Sequence, residues 1–397
     1  MPLRPPAGFI SAFYDPLNNP NAPTIGTATG GDTTASVAFT PPSNVGGSAI
    51  SLYGVRSTPD SVTATAASSP ISVTGLTNGT PYTFAVWAIN TYGPSAFSAA
   101  SNSVTPEVLQ RGVYGGGSSN VMDYINIAST GNATDFGDML ESTRLYGAFA
   151  STTRGVFAGG NDSVRRIQYI TFATTGDSAN FGNLTKDMKN GIGGCNSATR
   201  GVVGGGFTTT YDAQLEYVTI ASTGNATSFG DLTTARYGVS ACSSPTRGVW
   251  GGGESSVDFT NIIDYVTIAS TGSASDFGDL ITVARDTTAC SSSTRGLFAG
   301  NSTPPGTTPY SNVIQYITIA SAGNATDFGD LTQETVRAGA CSSATRATFG
   351  GGTISAGSTN VISYVTIAST GNATDFGDLT TSRGSLGACS SSNGGVQ

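Results

Sequence analysis

Two nearly identical stretches of eighteen residues lie far apart in this chain: YVTIASTGNATSFGDLTT at 217–234 and YVTIASTGNATDFGDLTT at 364–381. They differ only where the first has Ser228 and the second has Asp375. Four less perfect copies keep the tyrosine and the Phe-Gly step, which makes six copies in all. A chain that repeats itself at this scale encodes one small structural unit several times, so the repeat decides the fold.

A second element, TRGVFAGG at 153–160, recurs with the same period. Its arginines are 43 to 51 residues apart: Arg111, Arg154, Arg200, Arg247, Arg295 and Arg346. A period of about 40–50 residues is typical of propellers and solenoid arrays.

One period predicts four short strands. RYGVSACSS at 236–244 alternates and ends in serines, and RGVWGG at 247–252 ends in glycines. IIDYVTIAS at 262–270 precedes a Thr-Gly turn, and a last short strand surrounds the FGDL step. Four antiparallel strands without a helix form the blade of a β-propeller. The composition agrees, because this chain is rich in Gly, Ser and Thr and poor in strong helix formers.

The order of these elements resembles the kelch repeat: an Arg-led strand, a strand ending in a glycine pair, a tyrosine strand and an aromatic strand. The resemblance covers residues 111–397, but Phe376 and its five equivalents stand where kelch repeats usually carry Trp. The region opens on the second strand of a unit and ends on SRGSLGACSSSNGGVQ, a first strand with a stub of a second. We therefore predict an all-β chain in which residues 108–397 form a six-bladed kelch-like β-propeller closed by the C-terminal strand.

Residues 21–107 have a different character. The run LTNGTPYTFAVWAINTYGPSAFS at 76–98 resembles the end of a fibronectin type III domain, with Tyr82 at the tyrosine-corner position of such sandwiches. AFTPP at 38–42 fits the second strand. The resemblance implies an N-terminal β-sandwich that acts as a spacer or presenting module. Residues 1–20 are then an extended arm.

Composition excludes several functional classes. The chain has no histidine, which rules out Ser-His-Asp and Cys-His catalysis and histidine-ligated metals. Its formal net charge of −8 is unsuited to binding a nucleic-acid backbone. No apolar run is long enough to span a membrane, and we expect no secretion signal. We predict neither a cofactor nor a metal site; calcium at the Asp-rich turns is the less favoured alternative to a solvated turn.

Residues that recur in every unit are predicted to be scaffold. The recurring arginines are expected to bond carboxylates or carbonyls. A second such series precedes the first strand of each unit: Arg144, Arg236, Arg285, Arg337 and Arg383, with Lys189 in the sixth place. The expected carboxylate partners of both arginine series are Asp138, Asp231, Asp279, Asp330 and Asp378. Five repeats carry a cysteine at one equivalent position, and the remaining repeat carries Phe149 there. These cysteines are predicted to be buried free thiols: Cys195, Cys242, Cys290, Cys341 and Cys389.

Function is expected where the repeat is broken. The loops between the second and third strands vary most, and they share one face with the connections between units. Their larger side chains are candidates for a weak glycan or surface-polymer site: Arg165, Arg166, Tyr211, Asp258, Phe259 and Tyr310. The alternative for the two arginines is that they only solvate a turn. In the arm, Phe9, Ile10, Phe13 and Tyr14 either belong to a disordered tail or dock on a partner surface.

The whole chain resembles virion proteins of tailed bacteriophages, particularly cyanophage-like ones, through its fibronectin-like front and its near-identical IASTGNATDFGDL repeats. The resemblance implies a non-enzymatic appendage (a tail or capsid fibre) located in the virion. Such a chain docks to other virion proteins through its arm and contacts host-surface polysaccharide. The alternatives are a capsid or collar decoration without a ligand and, less favoured, a carbohydrate-active propeller enzyme.

Overall fold

The computed structural model describes residues 17–107, 110–144, 147–160, 165–187, 191–302, 304 and 310–396. The candidate docking residues Phe9, Ile10, Phe13 and Tyr14 lie outside this part. The chain divides into two compact units, Met1–Leu109 and Gln110–Gln397. The described residues contain strands and turns and no helix, so the all-β prediction is confirmed.

The first unit contains seven strands: β1 (Thr24–Gly31), β2 (Thr34–Thr40), β3 (Leu52–Thr58), β4 (Thr63–Ala66), β5 (Ile71–Thr74), β6 (Thr83–Asn90) and β7 (Gly93–Pro94). They form one sheet in the order β1-β2-β5 and another in the order β4-β3-β6-β7. In β6 every second side chain is buried, which is the pattern of a strand with one face on a core. That core includes Val37, Val55 and Phe84.

Tyr82 fixes the end of this sandwich. Its hydroxyl donates to Asp60 Oδ2 at 2.6 Å and accepts the Thr77 backbone N–H at 3.1 Å. A tyrosine whose hydroxyl bonds the backbone a few residues upstream is a tyrosine corner, as the sequence predicts.

The first unit begins earlier than residue 21. The Asn18 N–H donates to the Gly46 carbonyl at 3.0 Å, and the Asn19 side chain donates to the Pro94 carbonyl at 2.8 Å. The last residues of the predicted arm are therefore part of the sandwich, because they satisfy backbone groups of its loops.

The second unit contains the remaining strands: β8 (Arg111–Gly116), β9 (Ser119–Asn126), β10 (Thr134–Thr143), β11 (Gly147–Ala150), β12 (Arg154–Ala158), β13 (Arg166–Thr171), β14 (Ala179–Asn183), β15 (Gly193–Asn196), β16 (Arg200–Gly204), β17 (Gln214–Thr219), β18 (Thr227–Asp231), β19 (Ser240–Ser243), β20 (Arg247–Gly251), β21 (Ile262–Thr267), β22 (Ser275–Asp279), β23 (Thr288–Ser291), β24 (Arg295–Ser302), β25 (Tyr310–Thr318), β26 (Thr326–Thr335), β27 (Gly339–Ser342), β28 (Arg346–Gly350), β29 (Thr353–Ile354), β30 (Gly357–Ser358), β31 (Val361–Thr366), β32 (Thr374–Asp378) and β33 (Leu386–Ser390).

These strands form six four-stranded antiparallel sheets, which fit the predicted blades. We number them in chain order: sheet I (β33, β8, β9, β10), sheet II (β11–β14), sheet III (β15–β18), sheet IV (β19–β22), sheet V (β23–β26) and sheet VI (β27, β28, β31, β32). Strands β29 and β30 form a small separate ribbon. In sheet I the C-terminal strand β33 pairs with β8, Cys389 opposite Val113.

The repeated turn explains why the opening stretch recurs. In each of sheets I–VI, the glycine in the turn between the third and fourth strands donates its N–H to the carbonyl of the phenylalanine of the Phe-Gly step in the preceding sheet. Gly224 donates in this way to Phe181 at 2.8 Å. Gly131 of sheet I makes the same bond to Phe376 of sheet VI at 2.8 Å, which links the two ends of the series. A Cβ on Gly377 would lie 2.5 Å from the Gly131 carbonyl oxygen, so this close approach needs glycine.

The six arginines that begin the second strands form a further link between sheets. Each guanidinium lies 4.3 to 4.5 Å from the ring centre of the tyrosine in its own sheet. Each also donates to a backbone carbonyl of the next sheet, as Arg154 does to Ile220 at 2.8 Å and Arg346 does to Ile127 at 2.9 Å. Their partners are therefore carbonyls of the neighbouring sheet and not the expected aspartate series.

The five cysteines are free and buried, as predicted. Burial raises the pKa of each thiol, to about 12 for Cys242 and Cys341. They lie on the first strands of sheets III, IV, V, VI and I, and these strands pack against one another in chain order, with β33 also against β11. The first strands also carry small residues that line one shared cavity: Ala148, Gly194, Ala241, Ala289, Ala340 and Ala388.

Candidate functional site

Four segments of sheets III, IV and V build the candidate site. Two of them join second to third strands, at 205–213 and 252–261, and two join one sheet to the next, at 232–239 and 280–287. In a four-stranded antiparallel meander these two kinds of connection leave the same end of the sheet, which brings the segments together. Tyr237 and Glu254 are paired through backbone bonds of 3.0 and 2.8 Å, so two segments are fixed directly.

Glu254 is the centre of the site. Its Oε1 accepts the Tyr211 hydroxyl at 3.1 Å, and its Oε2 accepts the Tyr237 hydroxyl at 3.0 Å. Arg285 Nη1 also donates to Oε2 and to the Tyr237 oxygen, the latter at 2.7 Å. The side chains of Glu254 and Arg285 stay 20% and 21% exposed, so this ion pair is reachable from solvent.

Aromatic rings surround this centre. Phe207 and Tyr211 meet edge to face with 5.3 Å between ring centres, and Tyr237 lies 5.8 and 5.7 Å from the same two rings. The Arg285 guanidinium lies 4.6 Å from the centre of the Phe259 ring. We call these residues the loop cluster: Phe207, Tyr211, Tyr237, Glu254, Phe259 and Arg285.

Arg285 also contacts a second carboxylate, that of Asp286. Its Nε lies 3.2 Å from Oδ2 of Asp286, which accepts two bonds from Arg337 at 3.0 and 2.8 Å. Two guanidinium groups and two carboxylates therefore alternate across the site, and their formal charges balance.

The two tyrosines that contact Glu254 have raised pKa values. Burial and the hydrogen bond to Glu254 raise the pKa of Tyr237 to about 12, against the opposing effect of Arg285. Burial and the hydrogen bond to Glu254 also raise the pKa of Tyr211. Burial alone would lower the pKa of Arg285, but Asp286, Tyr237 and Glu254 raise it overall. Both phenols thus stay protonated and donate to Glu254, whereas a nucleophilic tyrosine needs a lowered pKa.

The structure brings only part of the sequence-predicted set together. Tyr211 and Phe259 belong to the loop cluster, and the Asp258 carboxylate accepts the Phe259 N–H at 2.7 Å. Tyr310 begins β25 opposite Ser302, which is bridged on its other side to Arg285. Tyr310 is therefore one strand removed from the cluster.

Arg165 and Arg166 are engaged elsewhere. Arg165 Nε pairs with Asp187 Oδ1 at 2.8 Å, and Arg166 Nη1 pairs with Glu141 Oε1 at 2.6 Å. Among the contacts of the described residues, none joins either arginine to the loop cluster. The grouping of these arginines with Tyr211 in one site stays a prediction: the partner of Arg165 lies in the connection to sheet III, and the partner of Arg166 lies on β10 of sheet I.

Sequence reasoning missed Phe207, Tyr237 and Glu254, and it assigned Arg285 to the scaffold. The second arginine series is not one series. Arg236 and Arg383 lie six residues before their cysteines and are buried against carboxylates, with 3.0 Å from Arg236 to Asp264 and 2.5 Å from Arg383 to Asp123. Arg285 lies five residues before Cys290, just as Tyr237 lies five residues before Cys242. Its side chain contacts the loop residue Glu254.

The sequence holds a signal that separates the two kinds of arginine. A basic residue six positions before the cysteine occurs only in units with an acidic residue just before the third-strand tyrosine. These pairs are Lys189 with Glu216, Arg236 with Asp264, and Arg383 with Asp123; the other three units have Thr143 with Gln168, Ala284 with Gln315, and Thr335 with Ser363. Arg144, Arg285 and Arg337 stand in the three units without this acidic residue, which separates them from Arg236 and Arg383.

One family model matches the chain: the fibronectin type III domain, over residues 20–104. The N-terminal sandwich is a fibronectin type III domain. Its two sheets and its tyrosine corner at Tyr82 agree with that assignment. No curated protein matches the chain.

The fibronectin type III domain carries an aromatic group of its own. Trp87 and Phe97 meet edge to face at 5.3 Å, and the Arg56 guanidinium lies 4.3 Å from the centre of the Phe97 ring. Phe97 is exposed, so this group lies on the outer surface of the β4-β3-β6-β7 sheet.

Across the described ranges, no three His, Cys, Asp or Glu side chains converge in a way that could hold a metal ion. Within the same ranges, no helix has the length and apolar character required to cross a membrane.

Proposed function

We propose that this chain is a non-enzymatic virion protein of a tailed bacteriophage: a tail or capsid fibre of the cyanophage-like type that presents a ligand-binding face to the host surface. The observation that carries the proposal is the loop cluster. The repeated residues are used in bonds between sheets, whereas the cluster is built from residues that break the repeat and remain accessible. Accessible aromatic and charged groups on variable loops are typical of binding faces.

We further propose that sheets I–VI are the blades of a six-bladed kelch-like propeller closed by the C-terminal strand. The pairing of β33 with β8 and the Gly131–Phe376 bond support this arrangement, since each joins the end of the repeat region to its beginning. A ring of this kind would hold the loop-bearing ends of all six sheets around one axis.

The absence of an enzymatic role is also part of the proposal. Three hydrogen bonds from protonated donors surround Glu254, and the two phenols have raised pKa values, so the site is arranged to hold polar groups and not to transfer protons near neutral pH. The fibronectin type III domain fits the role of a spacer, and residues before it would dock to other virion proteins.

A decoration role without a ligand is the second candidate. It is favoured by one observation: Arg285 already has two carboxylates, so the cluster is self-satisfied without a ligand. A fully paired cluster could serve only to fix the loops.

The test has two parts. Antibodies against residues 110–397 should label purified particles of the encoding phage in electron micrographs, and the purified full chain should compete with those particles for adsorption to host cells. Particles that lack the protein would overturn the virion assignment. Labelled particles whose adsorption is unaffected by excess protein would favour decoration over attachment.

A further inference from the structure

We propose that the loop cluster binds neutral, hydroxyl-rich polysaccharide and discriminates against acidic polysaccharide. This inference rests on the proposed attachment function and specifies its ligand class. It follows from the hydrogen-bonding capacity and the charge of the cluster.

Glu254 and the Tyr211 hydroxyl supply hydrogen-bond acceptors to the cluster. Glu254 receives three bonds from Tyr211, Tyr237 and Arg285, while a carboxylate offers about four lone-pair sites. The Tyr211 hydroxyl donates a hydrogen bond to Glu254, and among the contacts of the described residues its oxygen accepts no hydrogen bond. A ligand that supplies O–H donors, as sugar hydroxyls do, matches these acceptors.

The charges oppose an anionic ligand. Arg285 is bound by Glu254 and by Asp286, and Arg337 is bound by Asp286, so both cations near the site are already compensated. A ligand carboxylate or sulfate would therefore lie close to the Glu254 carboxylate and find both nearby cations already paired, in a chain whose net charge is −8. Like charges at close range are unfavourable in a partly buried site.

The aromatic rings supply the other half of sugar recognition. Phe207, Tyr211 and Tyr237 are each partly exposed, and their ring centres lie within 5.8 Å of one another. A pyranose presents a C–H face of low polarity between its hydroxyl edges. An aromatic wall beside a carboxylate acceptor therefore matches both parts of one sugar ring.

The experiment is affinity electrophoresis of the full chain in gels containing dextran, mannan or galactan as neutral polymers, and alginate or hyaluronan as acidic ones. We expect retardation by at least one neutral polymer and by neither acidic one. Tyr211→Phe should weaken the retarding affinity about fivefold and Glu254→Ala about tenfold or more, the sizes typical of a lost neutral and a lost charged hydrogen bond. The control is the Arg165→Ala, Arg166→Ala double variant, which lies outside the cluster and should bind as the parent does.

Retardation by the acidic polymers alone, or an affinity that Tyr211→Phe leaves unchanged, would overturn the inference. Tyr211→Phe keeps the ring and removes only the hydroxyl, so it tests the cluster even if Glu254→Ala disturbs the loops. A protein that is present on particles and competes for adsorption, yet binds none of the neutral polymers, would refute the ligand class and leave the proposed function standing. A protein that is absent from particles would refute the function instead.

Discussion

The buried pair of Arg236 and Asp264 permits a quantitative test of the packing between sheets. Both side chains are fully buried, and Asp264 also accepts the N–H and hydroxyl of Thr233 at 3.1 and 2.6 Å. Asp264→Asn leaves the guanidinium without its counter-charge, which typically costs about 3–5 kcal/mol. At roughly 2–4 °C per kcal/mol for a unit of this size, the melting temperature should fall by roughly 6–20 °C.

The chain contains its own control for this variant. In sheet V the same two positions are Ala284 and Gln315, and the Gln315 Oε1 accepts the Ile281 N–H at 2.7 Å without any arginine. Arg236→Ala with Asp264→Gln copies that neutral pair into sheet IV, so the double variant should regain most of the lost stability, to within about 2 kcal/mol of the parent.

The assay is thermal and urea unfolding followed by tryptophan fluorescence in a Trp87→Phe background. Trp250 is then the only tryptophan, and it is buried in sheet IV. The reasoning would be refuted if Asp264→Asn unfolded within 1 °C of its parent, or if the double variant were as unstable as the single one.

Three further predictions concern the chain ends and the thiols. Deleting residues 383–397 removes β33 and should leave the edge of β8 unpaired, so the protein should self-associate and melt at a lower temperature. The control is a deletion of residues 394–397 only, and equal behaviour of the two truncations would contradict the closure. At pH 8 the native protein should show no thiol reactive to Ellman's reagent and five after unfolding, because burial keeps the thiols protonated until the pH approaches their raised pKa; a native thiol that reacts quickly would contradict that burial. Removing residues 1–16 should leave the melting temperature unchanged and abolish incorporation into particles, and normal incorporation would show that docking occurs elsewhere.

The repeat made the strands and the four-stranded sheets predictable, because the same pattern of apolar, glycine and turn residues recurs in each repeat. The signals were local: alternation, glycine turns and an arginine at the start of each second strand, such as Arg154. The tyrosine corner at Tyr82 was predictable for a similar reason, since its partner Thr77 is close in sequence.

The loop cluster was less predictable. Its contacts join residues far apart in the chain, such as Tyr211 and Glu254, and they occur once, so no repeat marks them. The sequence also places Arg285 only one residue from the scaffold position of Arg236, and this small shift turns its side chain from a buried aspartate to the loops. A register count from the cysteines, made together with the third-strand acidic residues, would have separated the two arginines.

The most direct test of the proposed binding face is hydrogen–deuterium exchange of the full chain with and without polysaccharide extracted from the host envelope. If the loop cluster is the binding face, exchange should slow at 205–213, 232–239 and 252–261 and stay unchanged at the repeated turns, such as 221–226, on the opposite end of the sheets. Slowed exchange at those turns or in the fibronectin type III domain, with no change in the three loop segments, would contradict it.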